Sequence, residues 1–184
     1  MTRLSKSYFM GWIFGSSAFG VVSTVLAVFL AEMARSFRGA EWIFILPLLL
    51  GLIAIVVGSV FNCILLHRLW TVIQGEDSRT TPGKAVGFCF IPFFSLYWIF
   101  QAYLGWAVDY NRHAKRIGLE NSSANEGVAL WFCILLVCGG IPCLGYFTII
   151  GALVLSILFL NNAIDSANAL IEFQGNSTHD DESA

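Results

Sequence analysis

The chain has 184 residues, 57% of them apolar and 12% charged, with a formal net charge of −2 and a mean hydropathy of +0.74. Soluble domains carry about 25% charged residues, so this composition leaves too little polar surface for a water-facing globule, and no basic block is dense enough for nucleic acid. The charges are also segregated: residues 11–31, 42–66, 85–108 and 128–160 contain no Asp, Glu, Lys, Arg or His, which predicts an all-α membrane protein with four transmembrane helices.

The first span follows Arg3 and Lys6. Its 21 residues exceed the apolar core of about 7–15 in a signal peptide and match the roughly 20 a crossing helix needs. It reads as a retained span. Gly11 and Gly15, Ser16 and Gly20, and Gly20 and Thr24 are each four apart, a spacing that predicts close packing against a neighbouring helix of the same chain.

The second span opens at Trp42 and carries Pro47 near its start, where a missing backbone donor costs least. Leu66, Leu69, Trp70 and Ile73 recur at helical spacing with His67, Arg68 and Gln74 opposite. This predicts an amphipathic extension over 67–74 at headgroup level, stopped by Gly75.

Thr81 and Pro82 then read as a helix cap and first turn. Gly83 follows, and Lys84 is placed to reach lipid phosphate. The third span, 85–108, meets Pro92 about two turns in, which predicts a kink or break. Its many aromatics, Tyr97 and Trp98 among them, exceed one interfacial belt, so several are expected between helices. Gln101 is the strongly polar side chain at depth, and an interhelical partner is expected for it. A helical extension over 109–117 carries Asp109, Asn111, Arg112, His113, Lys115 and Arg116.

Ser123 and Glu126 form a capping-box pattern before the fourth span. Its 33 apolar residues would make about 50 Å of helix, too long for a hydrocarbon core of about 30 Å. Gly139, Gly140 and Pro142 are therefore predicted to kink or break it. An amphipathic exit over 161–173 sets Ile164, Ala167 and Ile171 against Asp165, Asn168 and Glu172, and residues 174–184 read as a disordered acidic tail. The whole of 1–173 is expected as one domain. Ile91-Pro92 and Ile141-Pro142 lie fifty residues apart, as do Asn111 and Asn161. This is a faint echo of the broken-helix repeats of transporters.

Four crossings leave Arg3, Lys6, Arg68, Arg79 and Lys84 on one side and Arg35, Arg38, Arg112, Lys115 and Arg116 on the other. The positive-inside rule then ties. A re-entrant third segment would give eight against two. Asn121 and Asn176 match the glycosylation pattern, which matters only in a eukaryotic secretory route.

No cofactor or metal is expected. Cys63, Cys89, Cys133, Cys138 and Cys143 all lie in spans, where cysteine acts as a small hydrophobe. The last three are five apart, about 140° from one another around a continuous helix. His67, His113 and His179 show no ligand spacing. Ionisable groups at depth mark proton and ion pathways, and the spans hold none.

The run LWTVIQGEDSRTTPGKAVGFCFIPFFSLYWIFQAYLGWAVDYN, Leu69–Asn111, resembles a family of uncharacterised bacterial multi-pass inner-membrane proteins, some fused to a GYF-like domain. The likeness rests on the TTPGKAVGF, FIPFF and YW segments. Ser95 stands where asparagine is usual. The resemblance implies a bacterial inner membrane and a cytoplasmic N-terminus, and it brings no activity. The expected role is a non-enzymatic scaffold or partner-binding subunit in contact with lipid, with a membrane-protein partner or a second copy of itself. Pro82, Gly83, Lys84, Pro92, Tyr97, Trp98, Gln101, Asp109, Asn111 and Pro142 are the residues expected to matter. The rivals are a passive channel or carrier for lipid or a small neutral solute, and a headgroup-level enzyme built on Arg79, Lys84, Asp109 and Arg112.

Overall fold

The computed structural model describes residues 3–34, 42–75, 78–119, 122–139 and 142–182, and every regular element among them is helical. In order these are α1 (Lys6–Ala34), α2 (Ile45–Val72), α3 (Pro82–Gly87), a 3-10 turn (Phe88–Phe90), α4 (Phe94–Ile99), a π turn (Phe100–Leu104), α5 (Gly105–Arg116), α6 (Glu126–Gly139) and α7 (Pro142–Glu182). Three stretches, α1, α2 and Ile150–Asn176 of α7, are long and apolar enough to cross a membrane. The protein is a helical membrane protein. The chain forms two compact units, Ser7–Leu65 and Met1–Lys6 with Leu66–Ala184.

The first unit is an antiparallel pair made by α1 and most of α2. The small residues are what let the backbones meet. A Cβ on Gly51 would lie 3.1 Å from the Gly20 carbonyl oxygen and 3.0 Å from Thr24 Oγ1. Trp12 stacks on Phe61 at 4.9 Å between ring centroids. Polar side chains on these helices are satisfied within their own turns. Ser17 donates to the Ile13 carbonyl at 2.6 Å, Thr24 to Gly20 at 2.8 Å and Ser59 to Ile55 at 2.9 Å, as hydrocarbon requires of any buried donor. The large side chains on the outer faces, Val22 and Phe29 on α1 and Leu46 and Leu52 on α2, are exposed. That is stable only against lipid.

The second unit contains two reversals. The stretch 85–108 is not one helix. Trp98 Nε1 donates to the Ala85 carbonyl at 3.0 Å across 13 residues, which a continuous helix would hold about 20 Å apart. The chain turns over at Ile91–Phe93, where Phe93 takes a left-handed φ of 62°, and α4 runs back along α3. Phe88, Phe94 and Trp98 fasten the two arms, with centroid separations of 4.7–5.6 Å.

The run 128–160 is likewise two antiparallel helices. Phe132 on α6 stacks on Phe159 of α7 at 5.1 Å, and Asn125 N–H donates to Asn162 Oδ1 at 2.7 Å. Gly139 and Pro142 flank this reversal, while Gly140 and Ile141 lie outside the described residues. The helix cap is Asn125, whose Oδ1 accepts from Val128 N–H, in place of the expected Ser123. Glu126 is drawn off to Asn111 instead. Helix α7 runs to Glu182.

The small-residue contact makes a direct prediction. Gly51→Leu should destabilise the protein by about 1–3 kcal/mol through overpacking, whereas Gly11→Ala, where an added Cβ meets nothing within 4 Å, should leave it unchanged. Unfolding in mixed detergent micelles measures both.

Candidate functional site

The tightly packed core gathers residues from the ends of the apolar runs and from the segments that follow them. Leu69, Trp70, Ala102, Trp106, Tyr110, Ile164 and Leu170 are fully buried. Two indoles lock it together. Trp106 Nε1 donates to the Leu69 carbonyl at 2.9 Å, and Trp70 Nε1 donates to the Ala102 carbonyl at 2.9 Å. Leu69 is in the last turn of α2, whose carbonyls have no intrahelical partner. Ala102 is in the π turn, whose longer register leaves a carbonyl available.

Three asparagines clamp backbone to backbone. Asn111 accepts from Ala124 N–H at 2.8 Å and donates to the Ala124 carbonyl at 2.9 Å, with Glu126 Oε1 at 2.8 Å. Asn168 does the same to Leu4, at 2.7 and 2.9 Å. Asn162 accepts from Asn125 N–H and donates to the Ser123 carbonyl at 3.3 Å. A side-chain amide carries both donor and acceptor, so one residue can satisfy both groups of a peptide. Arg3 and Lys6 add ion pairs to Glu172 and Asp165 at 2.6 and 2.8 Å, which are exposed and contribute little. Tyr110 Oη donates to the Ser166 carbonyl at 2.6 Å and lies 2.8 Å from Ser122 Oγ. Burial pushes its phenol above the ordinary value, and the bonds to Ser122 and Ser166 oppose that.

The polar cleft beside this core, about 250 Å³, is lined by Ile73, Ser78, Asp109, His113, Arg116 and Ile117 among others. Asp109 is 5% exposed. It accepts from the Arg79 backbone N–H at 3.2 Å. Arg79 Nε lies 2.8 Å from Oδ1, an ion pair without hydrogen-bond alignment, and Arg112 approaches to 3.5 Å. Ser78 Oγ donates to Gly75 at 3.0 Å. The carboxylate is thus engaged in holding the loop before α3 onto α5, and the hydroxyl is bonded within that loop.

Of the residues singled out in the sequence, Asp109 and Asn111 belong to this core. Pro82 opens α3 behind the Thr81 cap, which accepts from Lys84 N–H at 3.4 Å, and Gly83 and Lys84 are exposed. Trp98 ties the reversal, and Pro92 and Tyr97 lie on its exposed apex. Gln101 finds its partner in its own segment rather than on another helix, donating to Tyr97 Oη at 3.0 Å. Pro142 opens α7. The sequence places Asn168 only on the polar face of the exit helix and singles out neither Tyr110 nor Asn162, although an amide at the end of an apolar run was the available signal for Asn162. No protein-family model, curated protein or solved structure matches this chain.

Removing Arg79 leaves the buried Asp109 carboxylate with a much weaker set of partners, while removing Asp109 leaves a half-exposed guanidinium that water can solvate. Arg79→Ala should therefore cost more than Asp109→Ala. The latter should lose about 1.5–3 kcal/mol, the range for hydrogen bonds to charged groups. Thermal unfolding of the two variants in one detergent decides the order.

Proposed function

We propose that this protein is a non-enzymatic integral membrane scaffold or partner-binding subunit whose packed polar core lies on one face of the bilayer. The observation that supports this best is where the buried and half-buried polar side chains go. Asn111, Asn162, Asn168, Tyr110 and Asp109 each bond to the backbone of another segment. A site built for turnover keeps such groups aimed at a reacting atom. Here they are committed to rigidity, which suits a surface that presents a fixed shape.

The orientation follows from the reversals. In place of four crossings, α1 and α2 cross, and the 85–108 and 128–160 segments return to the side they left. Both crossing helices, of 29 and 28 residues, exceed the length needed. Helix α6, with 14 residues, makes about 21 Å and falls short. Helix α7 is long enough, but from Phe159 onward its core face is buried among the clamps. Arg3, Lys6, Arg68, Arg79, Lys84, Arg112, Lys115 and Arg116 then share one side, against Arg35 and Arg38. The positive-inside rule makes that side cytoplasmic. The resemblance over Leu69–Asn111 favours a bacterial inner membrane.

A lipid carrier is the second reading. It draws on an open groove of about 580 Å³ along α1 and α2, lined by Tyr8, Gly11, Trp12, Gly15 and Phe19 among others.

Single cysteines at Ser5 and Ser123, in a chain whose five native cysteines are replaced, should react with an impermeant maleimide from the same face of oriented vesicles. Reaction of Ser123→Cys from the opposite face would restore four crossings. For the role itself, a photo-crosslinker at the exposed Lys115 should give one discrete protein adduct in native membranes. Lipid adducts alone would reject the scaffold and favour the carrier.

A further inference from the structure

We infer that the α3–α4 hairpin is a half-depth wedge, binding the acyl chains of one leaflet at its apex and lipid phosphate at its base. The inference rests on the return topology proposed above. It goes further by naming the ligand and the depth.

Three observations converge on it. The first is length. The arm from Pro82 to Phe90 comprises six α-helical and three 3-10 residues, about 15 Å in all, which is half of a hydrocarbon core of about 30 Å. The second is the surface of the apex. Phe90 is 71% exposed and Phe93 89%, with Ile91, Phe94, Leu96 and Tyr97 also exposed. So dense an apolar surface is not left in water.

The third is the backbone of the turn. Irregular chain survives in hydrocarbon only where its polar groups are satisfied locally or covered by protein. At the apex Ile91 N–H donates to Phe88, Phe94 N–H to Pro92, Ser95 N–H to Ile91 and Leu96 N–H to Phe93, at 2.7–3.4 Å. Pro92 has no N–H to satisfy. The tight turn needs Phe93 in the left-handed region, where a non-glycine residue is strained. An apolar side chain kept at that strained position has a use if it must face acyl chains.

The base supplies the complement. Lys84, exposed near the start of α3, and the Arg79–Arg112 pair around Asp109 lie at the open end of the hairpin. A long cationic side chain there reaches phosphate while its stem stays apolar.

The test uses the full chain in phosphatidylglycerol–phosphatidylethanolamine vesicles, with spin labels on cysteines introduced after the native ones are replaced. Labels at Lys84 and Gln101 should lie well within the roughly 25 Å that 17 residues of continuous helix would impose. A label at Phe93 should collide freely with oxygen and hardly at all with an aqueous nickel chelate, and Leu96→Cys repeats the measurement should Phe93→Cys misfold. A distance of 25 Å or more overturns the wedge. So does nickel accessibility at both 93 and 96. If either result appears while Ser5→Cys and Ser123→Cys still label from one face, the wedge fails and the return topology stands. If Ser123→Cys labels from the far face, both fail.

Discussion

An indole N–H reaching back 13 residues to the Ala85 carbonyl is the contact on which the arrangement of the second half of this chain turns. It converts an apolar run long enough to cross a membrane into one that doubles back. On the return order proposed above, everything after it, from α5 to the end of α7, inherits the side on which the hairpin emerges. The bond is part-buried and Ala85 is fully buried, so water competes little for its carbonyl. The rings of Phe88 and Phe94 around Trp98 exclude other acceptors. Once Trp98 is pinned, the π turn at Phe100–Leu104 places the Ala102 carbonyl against Trp70, and α5 follows in a fixed register.

The return has to be matched elsewhere, and the asparagine clamps do this. Each joins segments distant in sequence by bonding both polar groups of a peptide, or of neighbouring ones. The residues joined are the chain entry at Leu4, the α6 entry at Ala124, and the paired ends at Asn125 and Asn162. Charged pairs would be weaker instruments here: the Arg3–Glu172 and Lys6–Asp165 pairs are half to mostly exposed and are screened by salt. The packed part of the second unit is therefore organised like the interior of a soluble domain, with satisfied polar groups and fully buried aromatics. Its apolar helices beyond that core present their large side chains outward.

What the sequence made legible follows from what hydropathy measures. Segment 11–31 falls within α1, segment 42–66 lies in α2 from Ile45 onward, and Pro92 marks the place where the third segment is interrupted. The small residues at Gly20 and Thr24 meet Gly51 as their spacing predicts. Direction was not legible. Apolar length counts residues and carries no sign, so an interrupted run looks the same whether it continues or returns. The even split of cations between the two sides of a four-crossing order was the trace of that ambiguity, and the return order proposed above turns it into eight against two. In the site, Asp109 and Asn111 stood out as polar residues at the end of an apolar helix. Asn125 was passed over for Ser123 because the capping-box pattern ignores tertiary competition, and here Asn111 takes the Glu126 carboxylate. Tyr110 could not be found from local pattern, since its partners, Ser122 before α6 and the Ser166 carbonyl on α7, are brought to it by tertiary packing.

These features together bear on what such a protein does to its surroundings. A helix that crosses displaces lipid equally from both leaflets, whereas a hairpin of half depth displaces it from one. Under the return order, the α3–α4 apex takes up volume in the leaflet adjoining the clamped core and little in the other. The energy of that displacement depends on how tightly the leaflet is packed, as it does for amphipathic helices lying at the same depth. On the scaffold reading proposed above, sensitivity to lipid packing and curvature would come from shape rather than from charge. The rigidity supplied by Asn111, Asn168 and the paired tryptophans has a role in that setting. A loosely held hairpin would yield to the leaflet, while one fixed at its base makes the leaflet yield to it.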